Sequence, residues 1–220
     1  MAGWFITGTD TEIGKTHVAC GLLRLMAGRG LQVAGFKPVA TGCATSADGL
    51  CNADALALRE AGTVNVPYEI LNPYAFVPPI APHLAAREAG VAIRPDPIVR
   101  AYAALNARAD AVVVEGAGGW RVPLGDDWDM ADLAALLDLP VILVVGMRLG
   151  CINHALLSAE AIGSRLCGWV ANEMDPRMAY KAGNLASLRA RMPAPCVGVI
   201  PFEHPAEEHL DRPFFYAPLA

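Results

Sequence analysis

At 220 residues, 54% of them hydrophobic and 18% charged, the chain can bury a full α/β core and is too apolar to be disordered. A net charge of −5 argues against a nucleic-acid partner, because phosphate backbones reward clustered Lys and Arg. The longest apolar run, 139–145, is far short of a membrane span, and no basic-then-apolar leader precedes Trp4, so a cytoplasmic location is expected.

Residues 4–8 predict a first strand. It runs into Gly8-Thr9-Asp10-Thr11-Glu12-Ile13-Gly14-Lys15-Thr16, ahead of a helix predicted over 14–28. Small residues let successive N–H groups turn inward on a phosphate, a Lys reaches its outer oxygens, and a hydroxyl meets Mg²⁺. The helix start adds its positive end. The spacing is one residue longer than the usual phosphate loop, but strand, glycine turn and helix come in the required order. Nucleotide phosphate binding is the expectation, with His17 offering a further backbone N–H.

A second strand is predicted over 32–38, carrying Lys37 at its end; a lysine there is ordinarily a surface residue. A helix over 53–61 follows Asn52, and Asp54 at its start serves either as a cap or as a metal carboxylate. The stretch 72–95, with Pro73, Pro78, Pro79 and Pro82, reads as a long excursion beside the sheet and not as a domain boundary. After a helix over 96–108, the strand 111–115 is apolar until it ends on Glu115, followed by Gly116-Ala117-Gly118-Gly119. A carboxylate at the carboxyl end of a buried strand lies near the first loop. Its desolvation is tolerable only beside a cation, which makes it a Mg²⁺ candidate.

The remaining elements are a helix over 129–138, a strand over 140–146, a helix over 152–165, a strand over 167–172, a helix over 178–191 and a strand over 196–200. An irregular tail, 201–220, is broken by Pro205, Pro213 and Pro218. This alternation implies a doubly wound, mostly parallel sheet with helices on both faces, P-loop NTPase-like, in a single domain over 1–220. The six cysteines form no C-x-x-C pair and read as reduced, mostly core thiols; the histidines show no metal spacing.

Several segments together resemble the dethiobiotin synthetases. They are 8–16, Phe36-Lys37-Pro38-Val39-Ala40-Thr41-Gly42, Asn52-Ala53-Asp54-Ala55-Leu56, and Asn72-Pro73-Tyr74 with Pro82-His83. Also matching are Val114-Glu115-Gly116-Ala117-Gly118-Gly119-Trp120, Leu149-Gly150-Cys151-Ile152-Asn153-His154 and Gly168-Trp169-Val170-Ala171-Asn172. The likeness runs from residue 3 to about residue 203. The Lys-Pro-Val-Ala and Gly-Cys-Ile-Asn-His segments are more specific than the phosphate loop.

The resemblance implies a reaction of 7,8-diaminopelargonate, CO₂ and ATP that gives dethiobiotin, ADP and phosphate through a carbamate and a carbamic–phosphoric anhydride. It implies that Lys15 holds the transferring phosphoryl group, that Lys37 neutralises carbamate and anhydride, and that Thr16, Asp54 and Glu115 hold Mg²⁺. Glu12, Ile13, Gly14, His17, Gly116, Ala117 and Gly118 then belong to the nucleotide site, and Thr11 and Thr41 to the substrate site. Thr41 stands where the family usually has Ser. Gly150, Cys151, Ile152 and Asn153 open a helix whose free N–H groups suit the substrate's distant carboxylate. In the family that helix end comes from a second subunit of a homodimer. A tyrosine that helps hold this carboxylate in some members falls at Asn184, one turn after Tyr180.

Adenine is expected against Asn172 and Glu173 and near Pro201, Phe202 and Glu203. Asn172-Glu173-Met174-Asp175 also has the spacing by which related GTPases read guanine; beside Pro176 and the other matching segments it reads as accidental. A partitioning ATPase of the same superfamily would carry a second lysine early in the loop, and residues 9–13 contain none. A non-catalytic sensor would not need Lys15, Lys37, Asp54 and Glu115 together.

Overall fold

Strands that are apolar at every position need cover on both faces, and here the chain supplies it. The computed structural model describes residues 2–46 and 49–216; positions 217–220 of the tail, Pro218 among them, lie outside the described residues. In chain order the elements are β1 (Ala2–Gly8), α1 (Lys15–Ala27), β2 (Val33–Phe36), β3 (Val39–Ala40), β4 (Ala44–Ser46) and β5 (Gly49–Cys51). They continue with α2 (Ala53–Ala61), α3 (Tyr68–Leu71), β6 (Tyr74–Ala75), α4 (Pro82–Glu88), α5 (Pro95–Asn106), β7 (Ala111–Glu115) and α6 (Met130–Leu136). The last are β8 (Val141–Met147), α7 (Cys151–Ile162), β9 (Leu166–Glu173), α8 (Lys181–Arg191), β10 (Cys196–Ile200) and α9 (Arg212–Tyr216).

Six strands form one sheet in the order β10-β9-β8-β1-β7-β2, and every neighbouring pair is parallel. The chain leaves β1 for the β2 edge, fills the gap with β7, then crosses to β8 and builds outward on the other side. The order therefore reverses at β1, and ligands gather beyond the carboxyl ends of strands at such a reversal.

Side chains alternate across the sheet as the pleat demands. Phe5, Val112, Val114, Leu143 and Val145 pack on one side with Ile98 and Leu105 of α5 and Leu133 of α6. Trp4, Ile6, Val113, Ile142 and Val144 pack on the other with Val18, Leu22 and Met26 of α1 and Leu58 of α2. Each such buried side chain contributes about 1.5–3 kcal/mol, so sliding a strand by one residue would forfeit a whole face. Phe215 of α9 closes the second face edge-on against Trp4, with ring centroids 5.6 Å apart. No disulfide joins any of the cysteines, and Cys20, Cys43, Cys51 and Cys151 are buried. Among the described residues no helix is long and apolar enough to cross a membrane.

The six predicted sheet strands and six main helices are all present, within two or three residues at their ends. Three departures have physical causes. The strand predicted over 32–38 stops at Phe36, because Pro38 has no N–H for the ladder. The helix predicted over 152–165 ends at Ile162, where Gly163 turns to φ 63° and a 3-10 turn follows. The excursion 72–95 is less irregular than its prolines suggest: Pro82 sits at the first position of α4, where a missing N–H costs nothing. That excursion also pairs back on the sheet's edge loop, β6 running parallel to β3.

Candidate active site

A cavity of about 590 Å³ opens where β1, β2 and β7 end. Its wall is drawn from three sequence-distant segments: Thr11, Glu12, Gly14, Lys15, Thr16 and His17; Lys37, Ala40, Thr41, Asn52, Asp54 and Pro79; and Glu115, Ala117 and Gly118.

The phosphate loop is shaped by two left-handed positions, Glu12 at φ 57° and Gly14 at φ 89°. Gly14 has a second reason to be glycine, since a Cβ there would lie 2.2 Å from Asn172 Nδ2. Asn172 is buried and donates through Nδ2 to the Ile13 carbonyl at 2.9 Å, bracing the loop from behind. Ile13 itself points into the core. Lys15 opens α1 and donates to the Asp10 carbonyl at 2.7 Å, while the Asp10 carboxylate pairs with Arg148 from the loop after β8. Burial, and then the neighbouring Lys37 ammonium, push the Lys15 pKa down to about 8. The Asp10 carboxyl is held below its usual value, first by the Thr11 N–H it accepts and also by Arg148.

Lys37 is the surprise of the site, at 3% exposed. Its Nζ donates to Glu115 Oε1 at 2.6 Å and to Asp54 Oδ2 at 2.8 Å. Burial alone would lower its pKa, but Glu115 and Asp54 outweigh that and hold it above the ordinary lysine value. Asp54 answers in kind: burial would raise it, and Lys37 brings it below the usual carboxylate range. The Lys37 backbone is clamped by the excursion, its N–H donating to Leu71 O at 2.9 Å and its carbonyl accepting from Asn72 Nδ2 at 2.6 Å. Tyr68 extends the clamp. Its hydroxyl donates to Asn72 Oδ1 at 3.0 Å and accepts the Asn52 N–H at 2.8 Å. Asn52 in turn caps α2 by accepting from the N–H groups of Asp54 and Ala55, and donates to the Thr41 carbonyl at 3.2 Å.

Thr16 donates to Glu115 Oε1 at 2.9 Å, so the hydroxyl and both carboxylates expected at a metal are adjacent. Glu115 Oε2 is buried with no hydrogen-bond partner, an orphan that a cation would satisfy. Among the described residues no three His, Cys, Asp or Glu side chains converge as a metal cage. Mg²⁺ asks for none, since it is held by one or two carboxylates with phosphate oxygens and water. The donor set fits the ion.

Other expected positions stand apart from this cavity. Gly116 follows Glu115 without lining the space. Glu173 is ion-paired to Lys181 at 2.7 Å, and the Asp175 carboxylate is occupied by its neighbour Arg177. Pro201, Phe202 and Glu203 form the turn after β10, joined to the start of α1 through His17 Nε2 and the His204 carbonyl, 2.9 Å apart. Gly150, at φ 94°, caps α7, and the Cys151 N–H is spent on the Arg148 carbonyl, leaving the Ile152 and Asn153 N–H groups of that helix end without an intrahelical acceptor. Leu149 beside them is 96% exposed. Tyr180, at φ 53°, projects at 90% exposed, and Asn184 folds back to donate to its carbonyl.

Sequence reasoning missed Asn72, Tyr68 and Arg148 as parts of the site, and Ala40 and Pro79 as its wall. Asn72 and Pro79 carried a usable hint, because a polar residue and a proline pair in an excursion alongside a sheet need a reason to be there. Tyr68 and Arg148 carried none.

The chain matches a family described as AAA domain over residues 2–209. It is 58% identical over 207 residues to the ATP-dependent dethiobiotin synthetase BioD of Pseudomonas paraeruginosa, covering 91% of this chain and 90% of that one. It is 54% identical over 201 residues to the protein of the same name from Aromatoleum aromaticum (90% and 89%), and 50% identical over 204 residues to that from Xylella fastidiosa (91% and 90%). Among solved structures, the MinC:MinD cell division protein complex of Aquifex aeolicus aligns with a TM-score of 0.57 at 17% identity, over 92% of this chain and 82% of that one. The signal recognition particle 54 kDa protein of Aeropyrum pernix aligns at 0.55 and 19%, over 96% of this chain, which spans 44% of that longer protein. These distant structures share the fold.

Proposed function

The chain belongs to the dethiobiotin synthetase family, and from that membership we propose that it closes a cyclic urea on 7,8-diaminopelargonate with CO₂ and ATP. It is in this reading a ring-closing ligase of biotin synthesis, with residues 1–220 working as one cytoplasmic domain and two copies forming a homodimer. The observation that carries the reading is Lys37, buried between Asp54 and Glu115 on the floor of the phosphate cavity.

One amine of the substrate takes up CO₂ as a carbamate. A carbamate oxygen attacks the γ-phosphorus, ADP leaves, and the second amine attacks the activated carbonyl carbon and expels phosphate. Lys15 and the N–H groups at the start of α1 hold the phosphoryl group in line. Lys37 faces the same space and neutralises the carbamate and then the anhydride, with Thr11 and Thr41 at the rim to hold their oxygens. Thr16, Asp54 and Glu115 would hold Mg²⁺, which neutralises charge on the phosphates.

The tip of α7 is assigned to the substrate carboxylate in the partner's site. Its absence from this chain's cavity and the exposure of Leu149 support that assignment. For the base, Asn172 adjoins the loop at Ile13, and the turn after β10 adjoins the start of α1 at His17. Membership in a family of ATP-dependent enzymes favours adenine over guanine, and Asn172 remains the residue assigned to the base edge. Turnover with ATP, GTP and CTP tests this; a GTP preference would overturn it. The reaction itself is tested by ADP release from the purified protein. Release should require both the diamine and bicarbonate, whereas phosphate release without the diamine would point to a nucleotide switch.

A further inference from the structure

Lys37 holds the same two carboxylates that the proposed function gives to Mg²⁺, and any role of Lys37 toward that ion rests on the same proposal. With Nζ 2.6 Å from Glu115 Oε1 and 2.8 Å from Asp54 Oδ2, the ammonium occupies the acidic side of the cavity before any nucleotide arrives. We propose that Lys37 is a resident counter-ion, which denies the metal carboxylates to a bare divalent cation and admits the ion only together with a nucleotide's phosphates.

Charge balance is the first argument. On the cavity floor Lys15 and Lys37 face Asp54 and Glu115, two positive groups against two negative. Glu12 is exposed at the rim, where solvent screens it. A bare divalent ion would bring two uncompensated charges to a neutral floor. The same ion with a triphosphate arrives as an anion, and Lys15 and Lys37 then gain phosphate oxygens as partners.

Access is the second argument. The side chains of Lys37 and Glu115 are 4% and 1% exposed, while Asp54 is 44% exposed. A hydrated divalent ion can therefore meet Asp54 but cannot reach Glu115 without moving the ammonium, and Mg²⁺ sheds water reluctantly. The third argument is anchorage. The Lys37 backbone is bonded on both sides, to Leu71 and Asn72, so only its side chain is free to turn when phosphate offers a new partner.

Mn²⁺ binding to the full chain, read by electron paramagnetic resonance at pH 7, tests the role apart from turnover. Without nucleotide, Lys37→Met should bind Mn²⁺ at least about tenfold more tightly than the wild type, because a unit positive charge has been removed from a few ångströms away. Lys37→Gln, which can still donate to Glu115, should do the same and serves if Lys37→Met does not fold. Lys37→Arg keeps a cation and should stay near the wild type. Adding ADP should give the wild type tight Mn²⁺ binding; if it does not, the metal reading fails and this inference with it. If ADP does so and the neutral variants bind free Mn²⁺ no better than the wild type or Lys37→Arg, the counter-ion role alone is overturned.

Discussion

The floor of the phosphate cavity and the tip of α7 belong to one chain but are finished to different degrees. At the floor, Lys15, Lys37 and Glu115 are all buried, and both ammoniums have partners within the chain. At the tip, Leu149 stands almost fully exposed beside the first turn of the helix. A site that transfers a phosphoryl group gains from charges fixed before the substrate arrives, because they need no reorganisation during reaction. A helix end that waits for a second subunit gains nothing from being covered by its own chain. In the proposed function, the contrast separates a catalytic half that is complete in each chain from a substrate-tail half that each chain lends to the other.

The largest effect should come from the floor. Lys37→Gln is expected to lower turnover by on the order of 10²–10³ with little change in ATP KM, as for other preorganised donors. Steady-state kinetics with varied ATP and varied diamine read the split; an effect confined to ATP KM would move Lys37 out of the chemistry. Asn72→Ala removes the clamp on the Lys37 backbone. It should cost about 1–3 kcal/mol of stability in a denaturant melt and a smaller share of turnover than Lys37→Gln. At the tip, Leu149→Asp should weaken association and raise diamine KM by about tenfold while leaving ATP KM alone, since 1.4 kcal/mol at an interface is a factor of ten. Activity independent of protein concentration in that variant would break the contrast.

ATP affinity should also depend on pH in a defined direction. The free Lys15 ammonium, at about 8, is fully charged below pH 7 and lost above pH 9, and bound phosphate favours its charged form. Titration of the nucleotide should therefore show constant affinity up to about pH 7.5 and a fall of at most about tenfold per pH unit above 8. An affinity that rises with pH would contradict the sign. The smallest effect belongs to Arg148→Ala, whose half-exposed ion pair with Asp10 should be worth under about 1 kcal/mol and shrink in high salt.

How much of this could be read in the sequence differs even within the floor. The sheet was legible because runs such as Val141–Met147 are apolar at every position, a pattern with few alternative uses. Lys15, Thr16 and Glu115 were legible because their chemistry is tied to the ends of predicted strands. The burial of Lys37 was not, since its residue type and its place after a strand fit a surface lysine equally well. Its backbone is clamped by Asn72, thirty-five positions away, which is itself held by Tyr68 at the other end of the same short helix. Such contacts are made by chain return, and neither period nor propensity encodes them. The Arg148–Asp10 pair was hidden for the same reason.

The division of labour between the two halves is tested most directly by mixing subunits. Lys37→Gln lacks a working floor, and Asn153→Asp would repel the substrate carboxylate from the tip. Dissociated and reassociated one to one, the two inactive proteins should recover about a quarter of wild-type turnover, because half of the dimers are mixed and each mixed dimer holds one intact site. A mixture no more active than the sum of its parents would show that floor and tip serve the same chain.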